Sequence, residues 1–271
     1  MPNIAAHIIE ELRCFFAKQD IQVRSIPGGM VNTSHCVYVD QQTYFLKQFA
    51  SASSIPIKRE QAFEHQAKVA ELGLAPRPLY LANNNDFQLD TWVTVDALPA
   101  RMSTLNEKCE RLAEVLAHLH QLPFTGLSLN LRDDWAFYLA DNHQQLSAVE
   151  QAELEGLLAY FDSECRAETA LCHNDLAFAH IMQCSPPLLI DWEYSAMSSP
   201  YFDVAASITI NQLNTEQGAL VIKHYAQQRG LDELWVHEKV LNMLAIVHKT
   251  NELWAKSMGD LAQNSQFLFE K

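Results

Sequence analysis

The segment of residues 171–203 constrains this chain most, because it places two aspartates directly after short apolar stretches. Asp175 follows the first stretch, and Asp191 ends the apolar run 188–190, which comes after a proline-containing turn at 184–187. A β-hairpin-like arrangement brings such ends together, so we expect both carboxylates at one mouth of a cleft. Taken singly, each aspartate is as readily a turn former or a helix cap.

Three motifs of this segment resemble those of one known family. They are His-Asn-Asp at 173–175, the position five residues after that Asp, and Ile-Asp-Trp-Glu-Tyr at 190–194. Together they are similar to the catalytic and metal-binding segments of the choline/thiamine kinase and aminoglycoside phosphotransferase family, small-molecule relatives of protein kinases. The resemblance implies that Asp175 accepts or orients the proton of the substrate hydroxyl and that Asp191 holds Mg²⁺ on the ATP phosphates. It extends to Asp203, which we expect to cap a helix or to anchor a loop.

One position departs from the family pattern. The fifth residue after the catalytic Asp is an Asn that ligates metal in the family, whereas this chain has His180 there. Magnesium prefers oxygen ligands, while imidazole suits Mn²⁺, Zn²⁺ and other transition metals better. Either His180 lies outside the metal shell, or the metal preference has shifted, or catalysis is impaired. We predict Asp191 and His180 as metal ligands, with ATP as co-substrate and Mg²⁺ or Mn²⁺ as the cation.

The composition is that of a globular protein. The 271 residues suffice for a large core and for two lobes, and 48% hydrophobic with 10% aromatic residues lies outside the range of disordered chains. No apolar run approaches the roughly 20 residues that span a bilayer, and the N-terminus shows no basic region followed by an apolar one. Six cysteines without a CxxC pair indicate reduced thiols, so we expect a cytoplasmic protein.

The net charge narrows the class of partner. A formal charge of −14 argues against binding to nucleic acid or to anionic membranes. A negative field favours a small cationic substrate, and thiamine, choline and aminoglycosides are all cationic. Nothing in the sequence fixes an oligomeric state.

A glycine-containing hairpin precedes a strand that carries a lysine. Gly28 and Gly29 lie between two strand-like stretches, and Lys47 lies in a third stretch. Alone, a Gly-Gly pair is usually only a turn, and a strand lysine usually marks a solvated face. Their order resembles that of the kinase family, which implies that the loop containing Gly28, Gly29, Asn32 and Ser34 binds the ATP phosphates. By the same resemblance, Lys47 contacts the α/β-phosphates and pairs with a helix glutamate.

The following helix should supply that glutamate. We predict a helix over residues 58–73 that turns Phe63, Ala67, Ala70 and Leu72 inward. Glu60 and Glu64 lie one turn apart and both qualify as the partner of Lys47, and we favour Glu60.

Residues 92–96 are predicted as an edge strand and as the hinge between two lobes. The resemblance implies that the backbone there, at Thr94 and Val95, pairs with adenine. We therefore predict an α+β, bilobal, protein-kinase-like fold. Residues 1–97 form a small lobe with a mainly antiparallel sheet and a helix, and residues 98–271 form a larger, mainly helical lobe with helices near 203–213, 215–229, 232–258 and 259–270.

The first functional hypothesis is an ATP-dependent kinase for the hydroxyl of a small cationic metabolite. Trp235 and Trp254 look closest to bacterial thiamine kinases, so thiamine comes first, choline or ethanolamine second and an aminoglycoside third. A degenerate kinase fold that binds ligand without catalysis is the alternative. His180 supports it, while the presence of Asp175, Asp191 and Lys47 counts against it. A zinc site of Cys172, His173, His180 and Cys184 fits no common finger spacing.

Overall fold

The computed structural model describes residues 4–27, 31–50, 56–102, 104–141 and 146–258, apart from the side chains of Arg101 and Asp141. The predicted phosphate-loop residues Gly28 and Gly29 and the predicted helix at 259–270 lie outside these ranges. The chain forms two compact units, Met1–Val95 and Asp96–Lys271. The first combines a sheet with helices and the second is mainly helical.

The first unit is a five-stranded antiparallel sheet with two helices. The strand order is β1-β2-β3-β5-β4, so β1 and β4 are the edges. The predicted glycine-containing hairpin corresponds to β1 and β2, which pair antiparallel. The elements are α1 (Ala6–Phe16), β1 (Gln22–Ile26), β2 (Thr33–Val39), β3 (Gln42–Gln48), α2 (Arg59–Glu71), β4 (Pro78–Leu81) and β5 (Phe87–Thr91).

Helix α1 covers one face of this sheet, because its apolar residues recur at helical spacing. Ile8 and Leu12 are fully buried and pack with Val37, Leu46 and Leu89 of the strands. Helix α1 is therefore amphipathic, with its apolar side on the sheet. Since side chains alternate along a strand, the intervening strand residues point to the opposite face of the sheet.

Helix α2 turns a different face inward from the predicted one. Its buried residues are His65, Gln66 and Val69. Of the predicted inward residues, Leu72 is 46% exposed, and Phe63, Ala67 and Ala70 are only partly buried. The apolar pattern misled because polar hydrogen bonds hold this helix: the Gln66 amide donates to the Pro76 carbonyl at 3.0 Å.

The predicted strand at 92–96 is wrong. Strand β5 ends at Thr91, and it is an interior strand, since β4 lies outside it. The backbone beyond it pairs elsewhere: the Gln183 amide donates to the Asp96 carbonyl at 2.9 Å, and Ala97 forms an isolated bridge with Met182. Thr94 and Val95 thus lie in irregular backbone.

The second unit consists of long helices around two short β-pairs. Side-chain caps define several helix starts; Thr104 and Glu107 form a capping box, as do Ser147 and Glu150. Two single 3₁₀ turns, Phe178–His180 and Trp192–Tyr194, flank the shorter β-pair. The elements are α3 (Leu98–Arg101), α4 (Leu105–Leu119), α5 (Leu131–Asp141), α6 (Ala148–Ala167), β6 (Ala170–Cys172), β7 (Ile181–Met182), β8 (Leu188–Leu189), β9 (Ala196–Ser198), α7 (Pro200–Ile210), α8 (Thr215–Arg229) and α9 (Glu233–Ser257).

Two further expectations concern reduced cysteines and the absence of a membrane-spanning segment. All six cysteines lie in the described ranges and are free thiols. Among the helices of those ranges, none combines the length and the apolar character that a membrane crossing requires.

Candidate active site

The hairpin of β7 and β8 brings together Asp175, predicted as the catalytic residue, and Asp191, predicted as a metal ligand. The strands pair antiparallel, and the Ile190 amide continues the ladder by donating to the His180 carbonyl at 2.9 Å. As a result, one ligand atom each of Asp175, His180 and Asp191 lies within 4.8 Å of the others. These three side chains are only partly buried, so the cluster is open to solvent and to a ligand.

The position of the His180 ring fixes which nitrogen faces the aspartates. Its Nδ1 lies 2.8 Å from the backbone carbonyl oxygen of Asp175 and 3.4 Å from the Ala177 amide nitrogen. Its Nε2 is therefore the nitrogen that faces the aspartates, and it lies 3.7 Å from Oδ2 of Asp191. A backbone acceptor on the far nitrogen is the usual support of a metal-binding imidazole.

Two residues of the site adopt left-handed backbone conformations. Asn174 has φ 62° and Asp191 has φ 68°. Asn and Asp tolerate this region better than other non-glycine residues, although it still costs on the order of 1 kcal/mol each. The Asn174 amide offsets part of this cost by donating to the Tyr194 carbonyl at 3.0 Å.

Asp203 anchors the loop that carries Asp175. It is fully buried at the start of α7, and its two oxygens accept from the backbone amides of His173 at 2.8 Å and Asn174 at 2.7 Å. His120 of α4 donates to the same carboxylate through Nε2 at 3.0 Å. The predicted role of Asp203 as a loop anchor is confirmed.

A chain of hydrogen bonds continues from this anchor into α8. The other ring nitrogen of His120, Nδ1, is hydrogen-bonded to the Tyr225 hydroxyl at 2.9 Å. Arg229 donates to the same hydroxyl oxygen at 2.6 Å and to Glu168 at 2.6 Å. Burial alone would raise the pKa of Glu168, but the hydrogen bonds from Tyr201 and Arg229 bring this pKa below its ordinary value. These groups are fully hydrogen-bonded and serve to position the loop.

The zinc hypothesis is wrong. Cys172 is completely buried, and burial raises the pKa of its thiol well above the ordinary value. The thiol donates to the Ser198 carbonyl at 3.5 Å, and it lies with His120 and Asp203 rather than with His180. Within the described ranges, neither cluster with metal-ligand geometry contains Cys184.

Acidic and aromatic groups adjoin Asp175. The pKa of Tyr194 lies well above its ordinary value, because burial and the charges of Glu193, Asp175 and Asp191 oppose its ionisation. Tyr138 of α5 contributes to the same effect. The carboxylates of Glu193, Asp175 and Asp191 therefore form a negatively charged cluster near Tyr194.

Asp134, another acidic residue, lies one helical turn before Tyr138 on α5. Burial and the neighbouring Asp133 carboxylate raise the pKa of Asp134 to about 6. Trp135 holds the helix in place, since it is 1% exposed and donates to Thr250 of α9 at 3.0 Å. Asp134 and Tyr138 lie four residues apart on α5, and this spacing is the signal in the sequence that could indicate a shared site.

The predicted ATP-binding residues of the first unit lie on its sheet and around it. Ser34 and Lys47 are directly opposite each other on β2 and β3. Asn32 is buried and accepts from the Ala50 amide at 3.2 Å. Glu60 is exposed and accepts a hydrogen bond from the Asn85 amide, and its assignment as the partner of Lys47 stays a prediction.

Comparisons with known proteins agree on one family. A model described as "Phosphotransferase enzyme family" matches residues 22–240. The thiamine kinase of Escherichia coli O157:H7 (strain EC4115 / EHEC) is 24% identical over 229 residues, which cover 83% of this chain and 80% of the relative. Choline kinase LicA from Streptococcus pneumoniae has a TM-score of 0.69 at 19% identity, covering 97% of this chain and 96% of that chain. LicA in complex with AMP has a TM-score of 0.67 at 20% identity, covering 96% and 90%.

These structural similarities confirm the predicted α+β, protein-kinase-like fold. The family model also begins at the first strand and ends within α9, so it includes every predicted site residue of the sheet and of the hairpin.

We predict that Asp203→Asn disrupts the loop anchor. One of the two backbone amides would face an NH₂ group instead of an acceptor, so the free energy of unfolding should fall by roughly 2–4 kcal/mol. Urea denaturation measures the change. The control is Asp162→Asn, an exposed carboxylate 3.4 Å from Arg132, which should shift it by less than about 0.5 kcal/mol. Equal shifts for the two variants would contradict the anchor.

Proposed function

Because this chain belongs to the phosphotransferase enzyme family, as its motifs predicted, it is a small-molecule kinase, and we propose that it transfers the γ-phosphoryl group of ATP to the hydroxyl of thiamine. The observation that carries the proposal is the cluster of Asp175, His180 and Asp191, whose ligand atoms lie within 4.8 Å of one another. The relatives named thiamine kinase support the choice of acceptor.

Asp175 is proposed to orient the acceptor hydroxyl and to accept its proton as the oxygen attacks phosphorus. The loop anchor at Asp203 fixes the backbone of the two preceding residues, so the carboxylate is held before the acceptor arrives. Such positioning is the main contribution that a protein makes to phosphoryl transfer, because the bonds change between the substrates themselves.

Asp191 and His180 are proposed to hold the divalent cation that accompanies ATP. The donor set fits such an ion, since a carboxylate oxygen of Asp191 and a ring nitrogen of His180 lie within 4.8 Å of each other. When bound, the cation neutralises phosphate charge. Mg²⁺ and Mn²⁺ both accept this mixture of donors, but nitrogen favours Mn²⁺.

The nucleotide is proposed to contact residues of the first unit. Lys47 would compensate charge on the α/β-phosphates, and Gly28, Gly29, Asn32 and Ser34 would offer polar groups to the phosphates. The backbone of Thr94 and Val95 is proposed to pair with adenine. The irregular conformation there supports this role, because neither residue takes part in the sheet.

A cationic acceptor is supported by the charge of the surface near Asp175. Asp134, Glu193, Asp175 and Asp191 are all acidic, and the two causes that shift the pKa of Asp134 are burial and another carboxylate. The partly buried Tyr194 adds an aromatic ring, which attracts delocalised cations. Choline or ethanolamine would satisfy the same surface and is the second candidate; turnover of a panel of thiamine, choline, ethanolamine and an aminoglycoside discriminates among them.

We predict different losses for the two aspartates. Asp175→Asn should reduce kcat by more than about a hundredfold while ADP affinity in the presence of Mg²⁺ stays within about twofold of wild type. Asp191→Ala should instead weaken metal-dependent ADP binding, because it removes a proposed metal ligand. Calorimetry and steady-state kinetics measure both. Equal ADP affinities in the two variants would contradict the division of roles.

We predict that His180→Asn changes metal preference. The amide supplies an oxygen donor in place of nitrogen, so the ratio of Mg²⁺-supported to Mn²⁺-supported turnover should rise by about tenfold. Turnover is measured across a concentration series of each metal. The matched control is His224→Asn, a histidine of α8 that lies 3.5 Å from Glu110; this variant should keep the wild-type ratio. If His180→Asn also keeps it, His180 is outside the metal shell.

We predict that Asp134→Asn weakens the acceptor and stabilises the fold. The KM for thiamine should rise by about tenfold at pH 8, and the increase of wild-type KM as pH falls through about 6 should disappear, because the group that protonates there is gone. The pKa of Asp134 is higher in the folded protein than in the unfolded chain, so the charged Asp134 side chain destabilises the fold at pH 8. Removing this charge should therefore raise the free energy of unfolding by about 1–2 kcal/mol.

The matched control for this experiment is Asp133→Asn. Asp133 is the exposed neighbour on the same helical turn, where it accepts from Asn130 at 2.7 Å. Its substitution should leave the KM at pH 8 nearly unchanged. A KM that rises equally for both variants would show that general helix damage, rather than the Asp134 charge, is responsible.

A further inference from the structure

One face of the first unit's sheet carries a buried polar cluster beside Lys47. The register pairs Lys47 with Gln88 and Phe45 with Asp90. Because directly opposite and alternate residues share a face, Lys47, Gln88 and Asp90 all point to the side away from α1. Asp90 is a diagonal neighbour of Lys47, and diagonal neighbours in an antiparallel pair lie roughly 7–8 Å apart, within reach of a lysine.

Two glutamines hold the Asp90 carboxylate in a defined position. Gln88 donates to its Oδ1 at 2.7 Å, and Gln66 of α2 donates to its Oδ2 at 3.1 Å. The same Gln88 amide nitrogen also donates to the Gln66 oxygen at 2.9 Å, which joins the strand to the helix. Asp90 is 7% exposed, and both glutamines are equally buried. The cluster is therefore an ordered feature of the interior.

The two candidate glutamates of α2 lie outside the buried face of this helix. Glu60 and Glu64 are exposed, whereas the buried face of α2 is formed by His65, Gln66 and Val69. Glu60 accepts its hydrogen bond from Asn85, in the turn between β4 and β5. Helix α2 therefore contributes the Gln66 amide to this cluster, and strand β5 contributes the Asp90 carboxylate.

We propose that Asp90, and not a glutamate of α2, is the carboxylate that positions Lys47. The inference deepens the proposed function, on which the role of Lys47 in nucleotide binding rests. A buried carboxylate needs a cation as well as hydrogen bonds, because neutral amides compensate only part of its desolvation. Asp90 acts through Lys47 and is a positioning residue: it fixes the ammonium group on this face of the sheet, where the lysine meets phosphate.

A double-mutant cycle on the ligand-free protein tests the pairing. Lys47→Met and Asp90→Asn should each lower the melting temperature, and the double variant should melt no lower than the worse single variant, because each substitution removes the same pair. Glu60→Gln and Glu64→Gln are the matched controls, and their shifts should simply add to that of Lys47→Met. Additive shifts for Asp90, or coupling of Lys47 with Glu60 or Glu64, would overturn the proposal.

Nucleotide binding supplies the functional arm. Asp90→Asn should weaken ADP binding, measured by calorimetry with Mg²⁺, by about tenfold in the wild-type background and not at all in the Lys47→Met background. A purely structural role for Asp90 would weaken binding in both. If the wild-type protein binds no ADP and transfers no phosphate, the proposed function fails, while the melting-temperature cycle still decides the pairing.

A rescue variant guards against misfolding of Asp90→Asn. Asp90→Asn combined with Gln66→Glu returns a carboxylate to the same cluster from the helix side, so the melting temperature and the coupling to Lys47 should recover. If this variant also fails to fold, the cycles of Lys47 with Glu60 and Glu64 decide: additivity in both supports Asp90, and coupling in either refutes it.

Discussion

The buried carboxylate of Asp203 is the interaction on which the site of the second unit depends. A charge without solvent is tolerated only when donors surround it, and here two loop amides and His120 supply them. These bonds hold Asn174 in its left-handed conformation, directly before Asp175. The bonds from His120 to Tyr225 and from Tyr225 to Arg229 make the loop geometry a property of α4, α7 and α8 together. A local change in any of these helices would therefore alter the backbone conformation of the loop.

Several groups near Asp175 lower the stability of the fold and have positions that suit a ligand. The left-handed backbone conformation of Asp191 costs folding free energy, and the Asp134 carboxylate is partly buried beside the Asp133 carboxylate. Packing alone gives no reason for either arrangement, since a neutral residue would remove the electrostatic cost at Asp134. Strain and uncompensated charge of this kind are typical of sites where a substrate or a cation later supplies the missing interaction.

The sequence predicts those features that depend on local pattern. The hairpin that joins Asp175 to Asp191 follows from apolar runs flanking a proline turn, and α1 follows from the spacing of Ile8 and Leu12. The inward face of α2 could not be predicted in the same way, because Gln66 is buried by hydrogen bonds to groups that lie 10 and 24 residues away. Strand β5 ends at Thr91, although the apolar and β-branched residues 92–95 continue the local strand pattern. The hydrogen bonds of Gln66 are long-range polar contacts, which apolar periodicity does not reveal.

The substitution at His180 preserves the charge of the site while changing its chemistry. In its neutral form the imidazole carries no charge, so the net charge of the site then equals that of a site with an asparagine. The proposed compensation of phosphate charge by a divalent cation would be unaltered, because Asp191 supplies the same negative charge. What would change is the donor atom, from oxygen to nitrogen, and with it the relative affinity for hard and borderline cations. If His180 binds the cation, altered metal selectivity rather than loss of metal binding is therefore the expected consequence of this residue.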